Sequence, residues 1–477
     1  MFKRIGGVLA LAGLCALSVF FLSCGSSSSR PSGLLYVLSE EQSNVSSFAV
    51  DLGSGNLSLI NSNATTCTTL ATAPCGGPLQ ISLDPTGATA FVLNQGVPCV
   101  QGQTCVDPCG PQTIPPTQCV SIPPTIYGYS INSDGSLSAP ATPVVWTRPL
   151  SSTDSQDDAD IAVAMLRDAA GQFLFVVNEG SAPTQGNSYL ANCPQVPTRN
   201  FDACPSISVF STKPGATGAT LTGNNCPQTN TPCPYRLSRI PTSLSAITYT
   251  PSGGSAQTLL FMTSSKDLTA NHNDNELSVY SVDSSGNLAE APNSPYTTEV
   301  NPTVVQAVNT SPPGQPTAGE IFVYVGNSGS SAGGVGAFEL CSQVAPPSCR
   351  QSDVDNHLLF SVGTPTNVGQ NPVAMVVDPT NSFLYIACNG ANQVYGFSMG
   401  TSSGKLTALN PANQPTGSQP VALAMHGGIN TNSEFLYASN NGSSNISGWP
   451  IVATTGSMGN AITVQFTPGA PSGMAGR

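Results

Sequence analysis

Acid–base or metal chemistry needs side chains that titrate, and this chain has few. Charged residues make up 8% of its 477 residues, and only three residues are His. The suitable types lie in a few short stretches. Glu179 follows "FVVN", Arg239 stands in "RLSRIPTSL", and His272 lies in "TANHNDNE". A carboxylate or imidazole to activate water, with a guanidinium to hold an oxyanion, is a minimal set for hydrolysing an ester-like bond. The plain alternative is three unrelated, solvated loop residues. Asp154, Asp157, Asp158 and Asp160 fall within "TDSQDDAD". Carboxylates at short spacing suit Ca2+, a hard cation that takes oxygen ligands. The stretch lacks the EF-hand pattern, so a solvated acidic loop outweighs a metal site. Ca2+ is the only cofactor the sequence suggests. No Ser/His/Asp order and no phosphate-cradling glycine loop stands out.

Fifteen cysteines are the other reactive group. Setting aside Cys15 and Cys24 near the N-terminus leaves thirteen. Twelve fall in close groups: Cys67/Cys75, Cys99/Cys105/Cys109/Cys119, Cys193/Cys204, Cys226/Cys233 and Cys341/Cys349. Each group lies in a loop-like stretch rich in Pro, Thr and Asn. Local disulfides formed in an oxidising compartment are the economical reading. Zinc is the rival, but no His neighbours a Cys and tight knuckles are missing. Pairing within the four-cysteine group stays open. Cys388 is left over, in "YIACNG". It replaces a small polar residue at a strand end, and its neighbours supply no base or cation to activate a thiol.

The N-terminus sets the compartment. Lys3 and Arg4 precede an apolar run over residues 5–22, then "FLSCGSSSS". This resembles a bacterial lipoprotein signal, with Phe21-Leu22-Ser23 as lipobox and Cys24 as the lipidated residue. The resemblance implies a signal peptide over 1–23, a lipidated Ser-rich tether over 24–32, and a place in the cell envelope. Gly25, where Asp would retain the protein, implies the outer membrane, periplasmic or surface-facing. An uncleaved membrane anchor is the alternative. Losing Lys3 and Arg4 moves the formal charge from −12 to −14. An acidic surface poor in Lys and Arg excludes nucleic acid as a partner and leaves the lipid as the only membrane contact.

The elements that would position these residues form a repeat. Seven tetrads begin with an aromatic and end with a small residue: "YVLS" at Tyr36, "FVLN" at Phe91, "FVVN" at Phe175, "FMTS" at Phe261, "YVGN" at Tyr324, "YIAC" at Tyr385 and "YASN" at Tyr437. Pro78 and Pro372 each open an apolar segment that precedes its tetrad, with looser copies at Ile161, Pro241, Pro302 and Pro420. An alternating segment follows each tetrad, then a Gly- or Asn-containing turn and a short strand. Four short strands repeated seven times predict an all-β, seven-bladed β-propeller over residues 33–477, a single domain. The first unit lacks its Pro-led strand. "PSGM" at Pro471 offers one, so the C-terminal strand is expected to close blade 1.

The tetrads and the "DPTG" turn resemble the YVTN-type repeats of the seven-bladed lactonase family, the 6-phosphogluconolactonase and cycloisomerase group. The resemblance covers residues 33 to 475. It implies the propeller fold and admits lactone hydrolysis as an activity. In that family the proposed catalytic groups are His, Arg and carboxylates around the channel. Here the innermost strands read "LQISL", "IAVAML", "TSLSAITY", "TVVQAV", "VAMVV", "VALAM" and "SGMA", with no Asp, Glu, His, Lys or Arg. The long insertions at 61–77, 95–123, 179–205, 223–240 and 265–275 all fall on one face, and only the Cys341–Cys349 insertion falls opposite. Long stapled loops concentrate binding function. The expected function is an envelope lipoprotein whose stapled face binds a small molecule, glycan or protein, as a monomer. The alternative is a lactone hydrolase or related hydrolase.

Overall fold

A computed structural model describes residues 33–40, 42–65, 77–95, 105–106, 113–114, 124–138, 145–146, 161–179, 205–212, 221–223, 225–226, 229–232, 235–251, 254–267, 275–310, 320–329, 332–343, 349–427, 434–462 and 464–477. Blade 6 shows the repeating unit. Its strands A (Pro372–Val377), B (Phe383–Cys388), C (Gln393–Met399) and D (Leu406–Pro415) pair in that order, all antiparallel. The same order runs from Pro78–Leu83 to Val145–Trp146 in blade 2, and from Ala162–Arg167 to Leu221–Gly223 in blade 3. It recurs from Arg239–Tyr249 to Leu288–Glu290 in blade 4 and from Pro302–Asn309 to Leu359–Ser361 in blade 5. In blade 7 it runs from Pro420–His426 to Gln465–Phe466. The architecture is therefore a seven-bladed β-propeller. Pro opens strand A in five blades, a position where no N–H is owed to the ladder, and stands third in that of blade 4.

Blade 1 takes its strand A from the far end of the chain. Pro471–Gly476 pairs antiparallel with strand B, Leu34–Ser39. Leu34 and Arg477 exchange backbone hydrogen bonds of 3.0 and 2.8 Å. Gly473 and Gly476 keep this strand thin. A Cβ at Gly473 would come within 2.6 Å of the Leu79 carbonyl, and one at Gly476 within 2.9 Å of the Met425 carbonyl. Both termini of the propeller thus lie on the face that carries the A–B and C–D turns.

Burial follows position in the blade. Strand B lies inside its sheet, with a neighbouring blade on each side, so "FLYIAC" is buried at every residue. That explains its unbroken apolar run where a one-sided strand would alternate. The core is correspondingly not central. Among the described residues, seven hydrophobic clusters each join two consecutive blades, from blades 1 and 2 round to blades 7 and 1.

A repeated polar staple crosses these layers. The first residue of a tetrad donates its phenol to the carbonyl of a glycine in the next blade's C–D turn. The pairs are Tyr36 to Gly135 (2.9 Å), Tyr324 to Gly404 (3.0 Å), Tyr385 to Gly456 (2.6 Å) and Tyr437 to Gly55 (2.7 Å). All four glycines have positive φ. At Gly55 a Cβ would also strike Phe435, two residues before Tyr437. Backbone conformation and packing therefore both demand glycine there. One departure from the sequence pattern is a single helical turn, Gln351–Asp355, inside the C–D insertion of blade 5.

Candidate functional site

The seven A strands line a central channel of about 360 Å3. Its wall is uncharged. Gln80, Thr242, Ser243, Thr303, Gln306 and Ser472 supply the polarity, and Val, Leu, Ala, Ile, Met and Gly the rest. Strand A does reach basic residues at its ends: Arg167, Arg239 and His426. None of the three lines the channel. Arg167 is instead locked to Asp84 of blade 2 at 3.0 Å, with its guanidinium 5.3 Å from the Phe91 ring.

Most polar groups of the wall already hold the blades together. At the mouth on the insertion face, each strand-opening proline presents a carbonyl. Thr242 donates to the Pro302 carbonyl (2.9 Å), Thr303 to that of Pro372, and Ser472 to that of Pro78. Two asparagines just past their tetrads do the same: Asn389 to Pro420 (3.1 Å) and Asn441 to Pro471 (3.0 Å). The result is a belt running from blade 4 through blades 5, 6, 7 and 1 to blade 2, always from one blade to the next. Deeper in the wall, Gln80 Oε1 accepts from the Met165 N–H (2.6 Å), and Ser243 Oγ from the Val305 N–H (3.3 Å). Hydroxyls so engaged are not nucleophiles awaiting a base. The sequence carried a signal for this belt in the Asn after "YIAC" and "YASN" and the Ser or Thr after a strand-opening proline.

Glu179 occupies the Asn389 and Asn441 slot in blade 3, one residue past "FVVN". Its N–H binds the Ile161 carbonyl at 2.8 Å, which fixes it on the lip of the channel. Burial raises its pKa above the ordinary Glu value. A carboxylate cannot donate to a carbonyl as the asparagines do, but a protonated one can. Glu40, one residue past "YVLS", takes the same slot in blade 1, so blades 1 and 3 place a carboxyl where blades 6 and 7 place a closing Asn.

Arg239 is committed elsewhere. Its Nε lies 2.5 Å from Glu276 Oε2 and its Nη1 3.0 Å from Glu290 Oε1. Burial alone would lower its pKa, but these two carboxylates outweigh it and hold the guanidinium above its usual value. Tyr235 packs edge-on against Tyr280 beside this group, with ring centroids 5.5 Å apart. The pair ties the segment entering blade 4 to that blade's outer strands. His272 lies outside the described residues, as do Asp154, Asp157, Asp158 and Asp160. Among the described residues no group of three or more His, Cys, Asp and Glu is placed to hold a metal ion.

Cys341 and Cys349 form the disulfide expected of them, closing the C–D insertion of blade 5. Cys388 is a free, buried thiol whose pKa burial pushes up to about 12. Cys24, Cys67, Cys75, Cys99, Cys109, Cys119, Cys193, Cys204 and Cys233 lie outside the described residues. Cys105 and Cys226 are described only as backbone, in the short strands Cys105–Val106 and Asn225–Cys226. No helix among the described residues is long and apolar enough to cross a membrane.

No family model and no curated protein matches the chain. Solved structures do. The periplasmic gluconolactonase of Pseudomonas aeruginosa is similar at 15% identity, with a TM-score of 0.56 over 93% of this chain and 98% of that one. A candidate 6-phosphogluconolactonase from Bacteroides uniformis is similar at 13% identity, with a TM-score of 0.54 over 93% and 99%. A protein from Lactobacillus plantarum follows at 14% identity and 0.53, over 93% and 99%. At these identities the likeness shows the fold: a seven-bladed propeller of the lactonase-like kind.

Proposed function

We propose that this chain is a cell-envelope lipoprotein whose propeller binds a ligand or partner on the insertion face. The observation that carries the reading is the state of the channel wall. Its lining is uncharged, and its Ser and Thr hydroxyls are spent on inter-blade closure. Lactone hydrolysis needs a base or metal for water and a donor set for the oxyanion. The wall offers neither. Binding needs only shape and a few placed polar groups, which long stapled loops supply.

Hydrolysis of a lactone is the second reading, and Glu179 is the residue that favours it. A lip carboxyl with a raised pKa is suited to general acid–base work. The activities named for the P. aeruginosa and B. uniformis proteins suggest the substrate class. The test is hydrolysis of glucono-1,5-lactone by the chain released from its anchor, with and without Ca2+. We expect no turnover above the buffer rate. Turnover that Glu179→Gln abolishes would overturn the binding reading and establish the hydrolase.

A further inference from the structure

The chain contains two Asn–Gly pairs, and both lie in the belt at the channel mouth: Asn389–Gly390 in "YIACNG" and Asn441–Gly442 in "YASNNG". An Asn followed by Gly is a chemically fragile pair, because glycine leaves its own backbone nitrogen unshielded and free to turn. That nitrogen, once deprotonated, attacks the Asn side-chain carbon and closes a succinimide ring. The Cγ–Nδ2 bond breaks, and the amide leaves as ammonia with the proton that glycine lost. Water then opens the ring at either carbonyl, which leaves aspartate or isoaspartate.

Blade geometry explains why the pair recurs. Blades 4, 5 and 1 close onto the next blade through Thr242, Thr303 and Ser472, each the residue after a proline. Blades 6 and 7 carry Val373 and Val421 at that position, so the donor there is the Asn instead. The glycine follows from close approach. A Cβ at Gly390 would lie 3.0 Å from Gln370 Cβ, and one at Gly442 3.2 Å from Ser418 Cβ.

The folded ring holds both reacting atoms of each pair. In blade 6 the leaving amide, Asn389 Nδ2, donates to the Pro420 carbonyl at 3.1 Å, and the attacking nitrogen, Gly390 N, donates to the Gln370 carbonyl at 3.1 Å. In blade 7 Asn441 Nδ2 donates to the Pro471 carbonyl at 3.0 Å and Gly442 N to the Ser418 carbonyl at 3.1 Å. Reaction requires both bonds of a pair to break and the glycine nitrogen to turn toward Cγ.

We propose that Asn389 and Asn441 are latent modification sites, shut while the ring is closed and open to deamidation once their junction parts. The product cannot close the junction again. An ionised carboxylate only accepts hydrogen bonds, and it would face a proline carbonyl that also only accepts. Blade 1 carries Glu40 in the same slot but closes through Ser472. Val373 and Val421 leave blades 6 and 7 no such hydroxyl. An opening that lasts long enough therefore leaves a permanent mark at the junction where the ring is completed. The inference concerns the durability of the fold and does not rest on the function proposed above.

The test holds the full chain in mildly alkaline buffer, folded and in urea, and follows both Asn–Gly peptides by mass. Hydrogen exchange at the Gly390 and Gly442 amides is read in parallel. In urea the two pairs should deamidate at similar rates. In the folded chain both should react at least about tenfold more slowly, with both glycine amides protected. Deamidation as fast in the folded chain as in urea, or slow deamidation beside freely exchanging glycine amides, would overturn the proposal. Asn441→Asp carries the product directly. It should melt below the wild-type temperature at neutral pH and recover as pH falls through the ordinary Asp range, where the protonated acid can donate to the Pro471 carbonyl. Adding Val421→Thr, which copies the hydroxyl of blades 4 and 5, should restore most of the loss. If Asn441→Asp alone does not fold, the double variant is the readout. A wild-type melting temperature for Asn441→Asp, or a double variant no better than the single one, would overturn the claim that the product cannot close the ring.

Discussion

Cys388 ends strand B of blade 6, walled in by Gly369, Tyr395 and the blade 5 layer. Burial pushes its thiol pKa up to about 12 and leaves the side chain unexposed, so it is expected to resist a neutral-pH maleimide in the native chain and to react once the chain unfolds. Modification under native conditions would contradict the fold at this blade. Glu434 makes a pH prediction at the same scale. It is 3% exposed, and burial followed by the nearby Asp378 charge raises its pKa. A carboxyl whose folded pKa exceeds its unfolded value holds its proton more tightly when folded. Its contribution is fully present below the unfolded value and is lost as pH rises through the folded one. Stability should therefore fall as pH climbs away from the ordinary Glu value, and Glu434→Gln should flatten that slope in urea titrations across weakly acidic pH. The role of Cys388 was legible from its slot, since the other tetrads end in Asn or Ser. The commitment of Arg239 was not. Glu276 and Glu290 lie on strands C and D, and only blade geometry brings them to one guanidinium.

At the scale of the element, the tetrad turns out to be a two-part device. Its apolar residues fill an inter-blade layer, and a Tyr at its head also fastens the next blade's turn. Blades 2, 3 and 4 carry Phe there and pack without the staple. Phe is thus compatible with the slot, which makes Tyr437→Phe a clean measure of the hydrogen bond alone. We expect a loss of about 1 kcal/mol, the usual net worth of such a bond, with the far-ultraviolet spectrum unchanged. The same substitution at Tyr324 should cost a similar amount, and the two should add because the sites are far apart. Strands and turns were readable because period-two patterning and Gly, Asn or Asp turns are local properties. The staple was not readable, because a phenol and a glycine carbonyl as many as 382 residues apart become neighbours only once the ring is drawn. The helical turn Gln351–Asp355 was missed for a plainer reason: five residues are too few to show a helical period.

At the scale of the whole molecule, closure governs stability. Removing residues 471–477 would strip blade 1 of its inner strand, expose the edge of Leu34–Ser39, and open the layer it shares with blade 7. Such a truncation should elute as an aggregate and melt without a cooperative transition. Adding a peptide of residues 471–477 in trans should restore part of the transition; a truncated chain that melts like the intact one would contradict the closure. The seven-fold plan and this closing strand were legible because the first unit lacked what the chain's end supplied. The belt at the channel mouth was only half legible, since donors could be named but their partners belong to the following blade. Closure also has a bearing on orientation. Strand B of blade 1 starts at Leu34, beside Arg477, on the side away from the B–C and D–A insertions. If Cys24 bears a lipid, about nine residues separate it from Gly33, a reach of roughly 30 Å when fully extended. A propeller held on so short a leash would rest its terminal face toward the bilayer and hold the insertion loops out into solvent, where large partners could approach unobstructed.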